Sequence, residues 1–201
     1  MKNYLLSVLL YSAIFCVVLT SENYVCPKIK SKQQWEGVTA KKVSNQTAPI
    51  PLVIIHHTVS NACESFIECV PILQNIQSYH ILKKGFNDIG YNFLIGNDGL
   101  IYEGCGWNIV GNHTRGYNLN SLGVAFIGNF TSHLPSPNAF NSLKNLLRCG
   151  VNLGELSPNY KILAARQVSN TISPGLPIFG EIQEWDNWLQ GTYFEKYAIS
   201  N

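Results

Sequence analysis

The run Leu52-Val53-Ile54-Ile55-His56-His57 constrains this chain more than any other stretch. Four apolar residues, three of them β-branched, follow one another without polar alternation, the pattern of a short strand buried on both faces. Around it, residues 63–84 have helical spacing, with Val70, Leu73, Ile76 and His80 on or near one face. Residues 91–95 and 100–102 read as short strands joined by the hairpin signal Asn97-Asp98-Gly99. Residues 122–130 are another apolar strand. Ser136-Pro137 then reads as an N-cap followed by proline at the first helical position, with Phe140, Leu143, Leu147 and Val151 at helical spacing behind it. Residues 161–164 form a last strand. Residues 178–189 form a closing helix whose apolar side is Ile182, Trp185 and Trp188. Strands interleaved with about three helices give a single α/β domain with a central mixed β-sheet.

The amino terminus sets the compartment. Lys2 precedes an apolar run, residues 4–19, without a charge, and Thr20 and Ser21 are small residues suited to cleavage. Residues 1–21 are therefore expected to be a secretory signal peptide, too short for a membrane span. Residues 22–51, polar and anchored by Trp35, are expected to be an extension packed on the domain of residues 52–201. With 46% hydrophobic and 13% charged residues the chain is globular, and a net charge of +2 points to neither nucleic acid nor a membrane surface as partner. Of six cysteines, Cys16 lies in the leader, so an odd number remains and one thiol is left over or pairs between chains. Asn45, Asn112 and Asn129 each begin an Asn-X-Thr sequon, candidates for glycosylation in an exported chain.

Several short motifs follow in order: Ile54-Ile55-His56-His57-Thr58, Gly90-Tyr91-Asn92-Phe93-Leu94-Ile95-Gly96, Tyr102-Glu103-Gly104-Cys105-Gly106-Trp107, His113-Thr114, Gly116-Tyr117-Asn118 and Ser173-Pro174-Gly175. Together they resemble the peptidoglycan-recognition proteins, whose fold is that of phage-type zinc amidases. The likeness runs over residues 26–188 and is nearest to the short secreted insect members of the SA type. It implies disulfides Cys26–Cys149 and Cys63–Cys69, leaving Cys105 free.

The resemblance also implies an incomplete metal site. Amidases of this fold hold zinc with two histidines and one cysteine, leaving a fourth position for the attacking water. The first histidine matches His56, and a tyrosine that assists catalysis matches Tyr91. The second histidine falls on Ala165 and the cysteine on Ser173. Alanine has no donor and a neutral hydroxyl is a poor zinc ligand, so no metal cofactor and no amidase activity are expected. His57, next to His56 on a strand, points to the opposite face. A serine-dependent hydrolase built on Ser173 near His56 is the alternative enzyme, and no acid is evident to orient it.

The implied function is recognition. The groove would be walled by His56, Thr58, His80, Tyr91, Trp107, His113, Tyr117, Asn118 and Ala165. Trp107 and Tyr91 fit half-core positions as well, and His80 fits a satisfied core histidine. Members that take diaminopimelate at the third stem position resemble one another in having Gly-Trp where this chain has Gly85-Phe86, and arginine where it has Cys105. Cys105 brings no positive charge for the extra carboxylate, so lysine-type peptidoglycan is the expected ligand. The resemblance further implies a haemolymph sensor acting with a glucan-binding-type recognition protein and a serine protease upstream of Toll signalling; a directly bactericidal wall-binding protein is the other reading.

Overall fold

The computed structural model describes residues 24–191; the leader expected at residues 1–21 lies outside the described residues. Six strands form one sheet in the order β1-β4-β3-β5-β2-β6. These are β1 (Ile29–Lys30), β2 (Ile50–His57), β3 (Phe93–Ile95), β4 (Ile101–Glu103), β5 (Ser121–Phe126) and β6 (Leu156–Ala164). Only the β3–β4 hairpin is antiparallel, so the sheet is mixed. β2 lies inside it, parallel to β5 on one side and β6 on the other.

That register sorts β2 by parity. Val53 and Ile55 pair with Leu122 and Val124 of β5 and face α2 (Pro137–Asn152), against Leu143, Leu146 and Leu147. Ile54 and Leu52 face the other way, in a cluster with Leu163 and Val168. Beside that cluster, α1 (Phe66–Leu82) packs Leu73 near Leu94 and Ala125. Both helices begin on serine caps: Ser65 accepts from the Glu68 N–H, and Ser136 accepts from the Ala139 N–H with Pro137 just behind it.

β5 ends at Phe126 rather than at residue 130, and β6 begins at Leu156 rather than at residue 161; three further differences each have a local reason. β2 starts at Ile50, so the extension's expected end at residue 51 falls inside a strand; Pro51, which has no N–H to give, sits at the register shift between Ile50 and Leu52. The extension also supplies β1, paired with β4, and buries Trp35, whose indole N–H donates to the Glu103 carbonyl at 2.8 Å. The closing helix, α4 (Leu176–Gln183), stops six residues early. β6 is an edge strand with open backbone groups: Ile162 donates to Asn187 and accepts from Leu189, which draws Trp185 and Trp188 out of the helix. A one-turn helix, α3 (Ala165–Val168), links β6 to the segment before α4.

Disulfides join Cys26 to Cys149 and Cys63 to Cys69, and Cys105 carries a free thiol. No helix among the described residues is long and apolar enough to cross a membrane.

Candidate functional site

The carboxyl end of β2, the loop after it, one face of α1 and the segment 165–173 line a groove of about 680 Å³, which Tyr91 and His113 complete. Crevices at the carboxyl ends of parallel strands are the usual ligand sites of α/β sheets. Its floor is a chain of rings: Tyr91 lies 5.3 Å from His56 and 5.7 Å from His80, and His113 lies 5.4 Å from His56. The Thr114 hydroxyl ties two of them together, 3.2 Å from His56 Nε2 and 3.1 Å from His113 Nδ1. His80 Nδ1 accepts from the Gly90 N–H at 3.0 Å. Thr58 is on the wall, its hydroxyl oxygen accepting from the Gly128 N–H and 2.7 Å from Ser60 Oγ.

The electrostatics are those of neutral imidazoles. Burial holds His56 well below the ordinary histidine range, reinforced by His113 and His57. Burial pushes His113 down to about 4, with a backbone hydrogen bond at Ser121 opposing. His80 is lowered by burial first and Lys84 second. Tyr91 is pushed up to about 12 by burial and stays a phenol.

Several residues expected on this wall lie elsewhere. Trp107 packs on Phe93 at 4.6 Å, in the core on the α2 side of the sheet. Tyr117 is buried with Leu52, Ile54 and Leu163, because the loop before β5 turns it inward. Phe86, Cys105 and Asn118 line a separate cavity of about 260 Å³, coupled to the groove through the His80–Phe86 ring contact at 5.4 Å. The Cys105 thiol donates to the Ile89 carbonyl at 2.9 Å, and burial pushes it up to about 12, so it is a poor thiolate. Gly85 is exposed at φ +70°, a backbone turn that favours glycine, and lines neither cavity.

The three positions matched to zinc ligands, His56, Ala165 and Ser173, all line the groove. They supply one imidazole, one methyl and one hydroxyl, and the hydroxyl oxygen already accepts from the His57 N–H at 3.0 Å. His57 borders the groove as well, but its Nδ1 is engaged, accepting from the Phe130 N–H at 3.2 Å. No group of three or more His, Cys, Asp or Glu is placed to hold a metal among the described residues. This donor set does not fit zinc.

Other groove residues were missed by motif reading. Ile72, Asn75, Ile76 and Tyr79 recur at i, i+3, i+4 and i+7 on α1, a stripe that helical spacing alone would have revealed. A second group acts from behind the wall. Gln46 donates through its amide to the carbonyls of Asn118, Leu119 and Ser121 at 3.0–3.1 Å. Asn118 Oδ1 in turn accepts from the backbone N–H groups of His113 and Thr114. Gly123 lies directly behind His113, and a Cβ there would overlap the imidazole. The sequon asparagines Asn45, Asn112 and Asn129 are all exposed.

Comparison with known proteins agrees with this architecture. The sequence model of the N-acetylmuramoyl-L-alanine amidase family matches residues 46–176. Peptidoglycan-recognition protein SA of Drosophila melanogaster is 53% identical over 82% of this chain and 81% of its own. Peptidoglycan-recognition protein 2 of Holotrichia diomphalia is 45% identical over 88% and 94%. The solved Drosophila protein SA superposes with a TM-score of 0.81 at 52% identity, over 83% of this chain and 96% of that one. Recognition protein LE in complex with tracheal cytotoxin, a monomeric diaminopimelic acid-type peptidoglycan, superposes at 0.80 with 39% identity, over 84% and 98%. The chain therefore belongs to the amidase-fold family of peptidoglycan-recognition proteins.

Proposed function

We propose that this protein is a secreted, non-catalytic receptor for bacterial peptidoglycan that favours lysine-type stem peptides. The observation that carries the reading is the donor set at the groove: a methyl at Ala165 and an engaged hydroxyl at Ser173 stand where a catalytic zinc would need an imidazole and a thiolate. A serine-dependent route has no more support, because no carboxylate lines the groove to orient a base. What the groove does offer suits a saccharide carrying a peptide: aromatic and aliphatic faces at Tyr79, Tyr91, Ile72 and Ile76, with Asn75, Thr58 and neutral imidazoles between them.

The preference for lysine rests on the smaller cavity. Cys105 has committed its proton to Ile89, and Lys32 is ion-paired with Asp88. Lys42, which does line that cavity, is solvent-exposed. The extra carboxylate of diaminopimelate would enter without a dedicated guanidinium partner. Export through the amino-terminal leader, glycosylation at exposed Asn45, Asn112 or Asn129, and signalling in haemolymph through a glucan-binding-type partner and a serine-protease cascade to Toll complete the proposal. Calorimetric titration of the exported protein against the two muropeptide types tests it. Tighter binding of the lysine type is expected, with affinity falling in Tyr91→Phe and His113→Ala and diaminopimelate affinity rising in Cys105→Arg; equal binding of both types, or no gain in Cys105→Arg, would remove the specificity argument.

A further inference from the structure

The groove has one permanently charged side chain in its lining, and it is a cation. Lys84 stands just past the end of α1, with its ammonium 5.6 Å from the centre of the Tyr79 ring. The remaining lining is neutral: hydroxyls, amides, aliphatic and aromatic groups, and histidines held in their uncharged form. No aspartate or glutamate lines the groove. Lys84 has no carboxylate within ion-pair distance among the described residues, where the ion pair found is Lys32–Asp88. A lone cation beside neutral walls sets a positive potential along that end of the groove, focused by the low-dielectric protein on either side.

We infer that Lys84 is the anchor for a free carboxylate of the stem peptide, and so makes the receptor sensitive to amidation of its ligand. The inference rests on the peptidoglycan reading above. Two carboxylates of a muropeptide have the required chemistry: the α-carboxylate of the D-glutamate at the second position, which some cell walls convert to an amide, and the carboxylate at the peptide's end. Either would meet the ammonium as a partly exposed ion pair with the Tyr79 face beneath it. An ammonium is a point charge without a fixed fork, so it distinguishes carboxylate from amide by charge and not by shape.

The test is a calorimetric titration of wild type, Lys84→Met and Lys84→Arg with three lysine-type muropeptides: both carboxylates free, the second residue amidated, and the terminal carboxyl amidated. Lys84 is exposed, so the variants should fold; unchanged thermal unfolding checks this. The expected result is a loss of about three- to fivefold for Lys84→Met on the free ligand, the scale of one exposed ion pair. Wild type should lose the same factor on one of the two amidated ligands, Lys84→Met should lose nothing further on it, and Lys84→Arg should behave as wild type. That ligand identifies the carboxylate. Equal affinity of wild type and Lys84→Met for every ligand, or a loss equal on all three, overturns the anchor while leaving peptidoglycan binding intact. Absence of binding by wild type to any of the three overturns the underlying reading, and the anchor with it.

Discussion

The two faces of the sheet use the same strand for opposite ends. On the α2 face, Val53 and Ile55 meet leucines and phenylalanines in a continuous apolar core, and His57 at the strand's end is spent on holding the Phe130 N–H. On the α1 face, Ile54 is followed by His56, and the strand's end opens into the groove. Adjacent histidines thus have unrelated roles because side chains alternate across a strand. The α2 face is given wholly to the core, whereas the α1 face combines its own buried clusters with the groove proposed for recognition.

Changes on the two faces should therefore separate folding from binding. The largest effect belongs to the α2 face. Leu143 is fully buried there, and Leu143→Ala should cost about 2–5 kcal/mol in a denaturant melt, with the affinity of the folded fraction unchanged. Opening the Cys26–Cys149 bridge with Cys26→Ser should cost about 2–4 kcal/mol, again without a change in affinity.

Next come changes behind the groove. Thr114→Val keeps shape but removes the hydroxyl shared by His56 and His113; it should cost about 1–3 kcal/mol and weaken muropeptide binding. Gln46→Ala should free the Asn118 loop and do the same from farther away, visible as altered His113 and His56 imidazole signals in NMR spectra. A Gln46→Ala protein with wild-type signals would disconnect the extension from the groove.

A different kind of break is pH dependence, which acts on the groove face alone. The folded state holds His56, His80 and His113 below the ordinary histidine value. Unfolded histidines take up protons from about pH 6.5 downward, while His113 in the fold resists until about 4. The neutral-histidine contribution is thus complete above pH 6.5 and declines across the window from 6.5 to 4. Melts at pH 7.5, 5.5 and 4.5 should show falling stability, and the slope should flatten in a His113→Gln protein.

Much of this was legible in the sequence, for physical reasons that differ by region. β2, both long helices and the Ser136 cap follow from apolar runs, helical period and cap chemistry, all local properties, whereas the Ser65 cap went unread because the helical spacing was carried back to residue 63. The end of α4 was not legible, since Trp185 and Trp188 fit a helical stripe and only the open edge of β6 explains why the chain leaves it. At the site, His56, Thr58, His80, Tyr91, His113 and Ala165 come together as the motifs implied. Trp107 and Tyr117 do not, because a motif fixes sequence position and not the face to which a loop turns its ring. Gln46 was out of reach: its role exists only through carbonyls more than seventy residues away.

The central claim is that the groove binds without cutting. It is tested most directly by titrating the protein with a lysine-type muropeptide, with and without zinc, and weighing the recovered ligand by mass spectrometry. The account predicts binding that zinc does not alter and a ligand recovered whole. Stem peptide released from its sugar would contradict it, and would place a working catalyst around His56 that the donors at Ala165 and Ser173 do not provide.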